Sequence, residues 1–73
     1  MAGRLKKIVD FVRANAFFKN LALVTLNLKL KEAGFDVKVE DFTSDTPDDA
    51  EIERVLGHAA KTELNIDIDQ AMD

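Results

Sequence analysis

The sequence predicts an α+β fold, a two-layer sandwich in which two helices cover one face of a three-stranded antiparallel sheet. Three observations carry this prediction: a helical apolar stripe near the N-terminus, strict apolar/polar alternation in three later stretches, and a strong helix-start signal near residue 47. The expected element order is α-β-β-α-β. With 73 residues, 47% apolar and 33% charged, the chain predicts one folded domain over residues 1–73, with residues 70–73 frayed.

The first helix is predicted from about Gly3 to Phe18 or Lys19. Its apolar residues recur at helical spacing and define one stripe: Leu5, Ile8, Val9, Val12 and Ala16. Asn20 is a plausible end because asparagine tolerates the left-handed backbone conformation.

Residues 21–31 decide the fold class. As a helix they scatter their large apolar side chains over two opposite sides, whereas as a strand four of them alternate without a miss: Val24, Leu26, Leu28 and Leu30. The strand interpretation is therefore preferred. The alternative is a mostly helical protein with residues 17–33 as a second helix, favoured by the leucine content and by Lys31–Gly34, which is typical of a helix C-terminus.

The next apolar residues, Phe35, Val37 and Val39, also alternate with polar ones. A four-residue loop over residues 31–34, with Gly34 at a positive φ, would pair Leu30 with Phe35 in a hairpin. The two strands would then place their apolar side chains on one common face.

The last helix is expected to begin at Thr46 as N-cap, with Pro47 in the first helical position, and to run to about Thr62. Gly57, in its middle, is expected to permit close approach to another backbone. Leu64, Ile66 and Ile68 alternate with polar residues and predict a third strand. A right-handed crossover gives the sheet order 2-1-3, with strands 2 and 3 as open edges that could pair with another chain.

Charge is distributed unevenly along the chain. Residues 1–31 carry a net charge of +6 and residues 32–73 a net charge of −10, for −4 in total. Mutual attraction of the two parts is the simplest interpretation. The absence of cysteine and of an 18-residue apolar segment predicts a cytoplasmic protein with no disulfide, no signal peptide and no membrane association.

No group of residues has the spacing of a catalytic, cofactor or metal site. His58 is the only histidine and Ser44 the only serine, and Asn65–Asp69 lacks the glycine and glutamate of a calcium loop. We therefore expect a protein that is not an enzyme and needs no cofactor or metal.

The leading functional hypothesis is a small non-enzymatic interaction or regulatory module, homodimeric or bound to another protein, with Phe17, Phe18 and Phe42 as interface residues. Because Phe17 and Phe18 are adjacent on a helix end, one of them is expected to enter the core near Leu21 and the other to be exposed. The alternative is a nucleic-acid-associated protein that uses the basic first helix. The residues of this basic patch are Arg4, Lys6, Lys7, Arg13 and Lys19.

Overall fold

A computed structural model describes residues 2–69, and these residues are folded as three α-helices. The elements are α1 (Arg4–Asn15), α2 (Lys19–Glu32), a short 3₁₀ turn (Val39–Asp41) and α3 (Ala50–Leu64). The described residues contain no β-strand; an isolated antiparallel bridge joins Ala2 and Pro47. The predicted α+β sandwich and its three-stranded sheet are therefore wrong, and so are the open sheet edges. The structure agrees with the alternative, a mostly helical chain with its second helix inside residues 17–33.

The second helix accounts for the misleading alternation. Ala22, Leu26 and Leu30 are spaced four residues apart, so they share one side of α2, where at most 1% of each is exposed. Val24 and Leu28 are on the opposite side of the same helix and are exposed. A buried stripe and an exposed stripe, offset by two residues, reproduce the period of a strand.

The C-terminus of α2 is closed by a Schellman motif. The Phe35 N–H donates to the Leu30 carbonyl at 2.9 Å, and the Gly34 N–H donates to the Lys31 carbonyl at 3.0 Å. Gly34 has a φ of 94°, which is the left-handed conformation this motif requires. The expected positive φ is correct, but it ends a helix and does not form the predicted hairpin loop.

The first helix is shorter than predicted. It ends at Asn15, and Ala16–Phe18 form the turn into α2. The predicted end near Phe18 is wrong because the chain leaves the helical conformation at Ala16, where ψ is 140°. The stripe itself is buried as expected, at Leu5, Ile8, Val9 and Val12.

The start of α3 lies three residues beyond the predicted position. Asp49, not Thr46, is the N-cap, and its carboxylate accepts hydrogen bonds from the Glu51 and Ile52 N–H groups. The Thr46 hydroxyl instead accepts from the Thr43 N–H at 2.7 Å, while the Thr46 carbonyl accepts from the Gly3 N–H at 3.0 Å. The segment before α3 is therefore held against the start of α1.

The predicted third strand is wrong, because Leu64 is the last residue of α3 and Asn65 caps this helix in the left-handed conformation, with a φ of 57°. Ile66 and Ile68 are buried, whereas Asn65, before them, and Asp67, between them, are exposed. The apolar/polar alternation therefore corresponds to alternating burial. A Cβ added at Gly57 would lie 3.0 Å from the Ile68 Cδ1 atom, so the close approach at this glycine is to a side chain and not to a backbone. The expected fraying of residues 70–73 lies outside the described residues.

Asn27 connects α2 to the 3₁₀ turn. Its side-chain oxygen accepts from the Val39 N–H at 2.8 Å, and its amide nitrogen donates to the Glu40 carboxylate at 2.7 Å. Donation from the Asn27 side chain, followed by a backbone hydrogen bond, holds the pKa of Glu40 below its ordinary value. The turn then places Val39 in the core, where it is 2% exposed.

One apolar core lies between the three helices and the segments that cover them. Among the described residues it contains no buried polar or charged side chain. Its members are Leu5, Ile8, Val9, Val12, Ala22, Leu26, Leu30, Val39, Phe42, Ile52, Leu56, Ala59, Ala60, Ile66 and Ile68.

Ion pairs between Arg4 and Glu53 and between Lys29 and Glu63 join the basic and acidic parts of the chain at the surface. Exposed pairs of this kind contribute at most about 1 kcal/mol each.

Candidate interaction surface

The side of α2 that faces away from the core is apolar and open to solvent. Together with the two residues that precede the helix it forms what we term the α2 surface: Phe17, Phe18, Leu21, Val24 and Leu28. The exposed fractions of these side chains are 91%, 64%, 59%, 60% and 52% in that order. Val37 is the one other large apolar side chain among the described residues with comparable exposure, at 39%.

Helix geometry places three of these residues in one stripe. Leu21, Val24 and Leu28 are spaced by three and then four residues, the spacing of neighbours on one helix side, and extend over about 10 Å at 1.5 Å per residue. They lie opposite the stripe of Ala22, Leu26 and Leu30 that α2 contributes to the core. The helix is therefore apolar on two sides, of which the fold uses one.

The two phenylalanines extend the stripe beyond the N-terminus of α2. Their rings contact each other edge to face, with centroids 4.8 Å apart and an interplanar angle of 77°. They line a shallow depression with Arg13, Lys19 and Leu21. The turn at residues 16–18 thus presents an ordered aromatic pair at one end of the surface.

The α2 surface is large for a protein of this size. Taking about 150–200 Å² for a fully exposed large apolar side chain, its five members leave on the order of 550 Å² of apolar area in water. Contiguous exposed patches on monomers are about 300–600 Å² at most and are often functional. This area is about two thirds of the roughly 800 Å² that each partner contributes to a standard protein–protein interface.

The charges around this surface are mostly positive. No acidic residue occurs between Asp10 and Glu32 in the sequence. Arg13 and Lys19 lie at the phenylalanine end, where the Lys19 ammonium donates to the Arg13 carbonyl at 3.1 Å. At the other end Lys31 and Glu32 are both exposed.

Two of the three predicted interface residues belong to this surface. Phe17 and Phe18 are its most exposed members, whereas Phe42 is only 9% exposed and is part of the core. Sequence reasoning did not select Leu21, Val24 and Leu28. The signal that could have found them was present, since apolar residues on two opposite sides of a helix indicate one side for the core and one for something else.

The predicted basic patch is divided by the fold. Arg4 pairs with Glu53 on α3, and Lys6 pairs with Asp10 on α1 at 2.6 Å. Lys7 is exposed near the start of α1. Arg13 and Lys19 come together at the phenylalanine end of the α2 surface, so the five cations do not form one continuous site.

The residues that could bind a metal or take part in acid–base chemistry are dispersed over the described surface. Within residues 2–69, no group of three histidine, cysteine or acidic side chains could hold a metal ion. His58 is exposed on α3, and Ser44 is exposed in the turn before it. In the part of the chain that the structure describes, no helix is long and apolar enough to cross a membrane.

Comparison with known proteins gives no relative for this chain: no family model, no curated protein and no solved structure matches it.

Proposed function

We propose that the protein is a small non-enzymatic interaction module that binds another protein chain, and first of all a second copy of itself, through the α2 surface. One observation carries the proposal: five large apolar side chains, each at least 52% exposed, lie together along one side of α2 and in the turn before it. Keeping such side chains in water is unfavourable by about 25 cal/mol per Å² of apolar area, so covering them favours association.

The core does not account for these residues. Leu26 and Leu30 already supply large α2 side chains to the core and are fully buried. Polar residues at positions 21, 24 and 28 would serve that fold equally well. The phenylalanine pair adds a feature of binding sites, because aromatic residues dominate the energy of interfaces and lose little side-chain entropy when bound.

The experiment is sedimentation velocity of the full chain over a wide range of concentration, with Val24→Ser as the test variant and Val37→Ser as the matched control. Both substitutions remove the same exposed side chain, but only Val24 belongs to the α2 surface. We expect Val24→Ser to raise the dissociation constant of self-association at least tenfold, because a dimer loses the side chain twice. Val37→Ser is expected to behave as the wild type.

Two results would contradict the proposal. A wild-type protein that is monomeric at every concentration would exclude self-association. Equal dimerisation of Val24→Ser, Val37→Ser and wild type would place the interface elsewhere.

Nucleic-acid binding through the basic residues of α1 has weaker support. Arg4 and Lys6 each contact a carboxylate, and only Arg13 and Lys19 come together. Salt-sensitive binding of short DNA or RNA, lost in a variant with both Arg13 and Lys19 changed to glutamine, would favour this alternative.

A further inference from the structure

We infer that two copies of the chain associate through antiparallel α2 helices, around a twofold axis that passes beside Val24. This inference rests on the proposed function, because it specifies how a second copy would occupy the α2 surface. Three features of the structure support it. These are the location of the exposed apolar area, the positions of Leu21 and Leu28 along α2, and the charges at the two ends of this helix.

The first feature identifies which part of the second copy can cover the surface. Among the described residues, large exposed apolar side chains occur on the α2 surface and at Val37. Within residues 2–69 of a second copy, only the α2 surface therefore offers a matching apolar area. If both were fully covered, two such surfaces would bury about 1,100 Å² of apolar area, which reaches the roughly 1,000 Å² expected of a specific interface.

The second feature is the position of the stripe along α2. The midpoint between Leu21 and Leu28 falls beside Val24. In an antiparallel pair centred there, Leu21 of one copy lies opposite Leu28 of the other, and the stripes overlap along their full length. The same register sets Phe18 opposite Lys31 of the second copy, where the lysine stem can cover the ring and its ammonium can make a cation–π contact.

The third feature selects the antiparallel direction. In a parallel pair, Lys19 would lie beside Lys19 and Lys31 beside Lys31, and the helix dipoles would point the same way. In the antiparallel pair, Glu32 and the negative C-terminal end of one α2 lie near the positive N-terminal end of the other, which carries Lys19 and has Arg13 close by. At each end, Glu32 and the helix dipole then offset the repulsion between Lys31 of one copy and Lys19 and Arg13 of the other, an offset that the parallel pair lacks.

The test uses single-cysteine variants, which report cleanly because the native chain has no cysteine. Leu21→Cys, uniformly labelled with ¹⁵N, is mixed with unlabelled Leu28→Cys and treated with a short bismaleimide. Mass spectrometry then separates mixed from unmixed cross-linked dimers. Asp45→Cys, in an exposed turn outside the α2 surface, is the control for random collisions.

We expect the mixed dimer of Leu21→Cys with Leu28→Cys to form several-fold faster than the dimer of either variant alone or of Asp45→Cys. Faster self-linking of Leu21→Cys and of Leu28→Cys, with no excess of the mixed species, would show a parallel pair and overturn the inference. Equal cross-linking of all variants at a dimeric mass would also overturn it, while leaving self-association intact. A monomeric mass for wild-type protein would overturn the proposed self-association together with the inference.

Discussion

Gly34 ends α2 in a conformation that other residues adopt only at a cost. Its φ of 94° lies in the left-handed region, and nothing lies within 4 Å of where a side chain would begin. The cost of replacing it is therefore conformational and not steric. We expect Gly34→Ala to lower the free energy of unfolding by about 1 kcal/mol, measured by urea denaturation.

Gly34→Asn is the control for this substitution. Asparagine tolerates the left-handed region better than alanine, so Gly34→Asn should cost less although its side chain is larger. If Gly34→Ala were as stable as the wild type, the Schellman geometry at this position would be wrong.

Glu40 makes the stability of the fold depend on pH. Its pKa is held below the ordinary value of 4.5, first by the Asn27 side chain, so the folded state favours the carboxylate. A lowered folded-state pKa stabilises the fold above the ordinary pKa, and that stabilisation is lost as the pH falls through the folded-state pKa. Glu40→Gln retains an oxygen that can accept from Asn27 but cannot titrate.

We therefore expect the wild type to lose stability relative to Glu40→Gln as the pH is lowered from neutral to below 4.5. Urea denaturation of both proteins across this range measures the difference. A stability difference that stays constant with pH would mean that Glu40 titrates alike in the folded and unfolded chains.

At the scale of the element, two leucines that are two residues apart on α2 differ in burial. Leu26 is fully buried and Leu28 is 52% exposed, although a strand would place both on the same side. We expect Leu26→Ala to lower the free energy of unfolding by about 2–5 kcal/mol. We expect Leu28→Ala to lower it by less than about 1 kcal/mol.

This comparison is made by chemical denaturation at a concentration low enough for the protein to be monomeric, because association would add to the apparent stability. Equal losses for the two substitutions would support a strand over residues 24–30 and would exclude the helix described above.

A helix with one apolar side was predictable from the sequence, and the helix with two apolar sides was not. Helices α1 and α3 each have one apolar stripe, and both were predicted, with errors only at their ends. The second helix has two, and their superposition looks like the alternation of a strand. The Lys31–Gly34 ending was the local signal that favoured the helix, and it was outweighed by the alternation at Val24 to Leu30.

The alternation at Ile66 and Ile68 describes burial and not pairing, whereas in the predicted second strand Val39 is buried but Val37 is 39% exposed. Val39, Ile66 and Ile68 point into the core while their polar neighbours stay exposed. Short turns and irregular segments that pack on helices produce buried apolar residues with exposed polar neighbours as well as sheets do, so the pattern alone does not separate the two cases.

The candidate site was predicted in part for a related reason. Phe17 and Phe18 were selected for their aromatic chemistry, but the expectation that one of them enters the core is wrong, because both are exposed. Leu21, Val24 and Leu28 join them only once α2 is known to be a helix. Phe42 has the same chemistry but lies in the core, because the 3₁₀ turn directs the chain inwards after Asp41.

For the molecule as a whole, charge and apolar area oppose each other in self-association. Each copy carries a net charge of −4, and the cations around the α2 surface outnumber the acids. Both the overall charge and the local charge therefore repel a second copy, although Glu32 offsets part of this at the ends of the helices. Salt screens such repulsion, with a screening length of about 10 Å at 0.1 M that falls to about 3 Å at 1 M.

We therefore expect self-association to strengthen when the salt concentration is raised from about 50 mM to about 500 mM. Light-scattering mass against concentration at the two salt levels measures the change. Weaker association at high salt would indicate that attraction between opposite charges outweighs this repulsion, and would contradict an interface stabilised mainly by apolar area.

The two-sided character of α2 has a consequence for the uniqueness of the fold. Rotation of the helix by half a turn about its axis would exchange one apolar stripe for the other, so hydrophobicity alone leaves two competing arrangements of similar composition. The side chain of Asn27 distinguishes the two arrangements, because only one rotation lets it form hydrogen bonds with both Val39 and Glu40.

We therefore expect Asn27→Ala to populate two slowly exchanging states, visible as doubled amide signals of α2 in NMR spectra. Asn20→Ala, which removes an exposed amide on the same helix, should leave a single set of signals. One polar side chain would thus decide which stripe of α2 stays available to a partner.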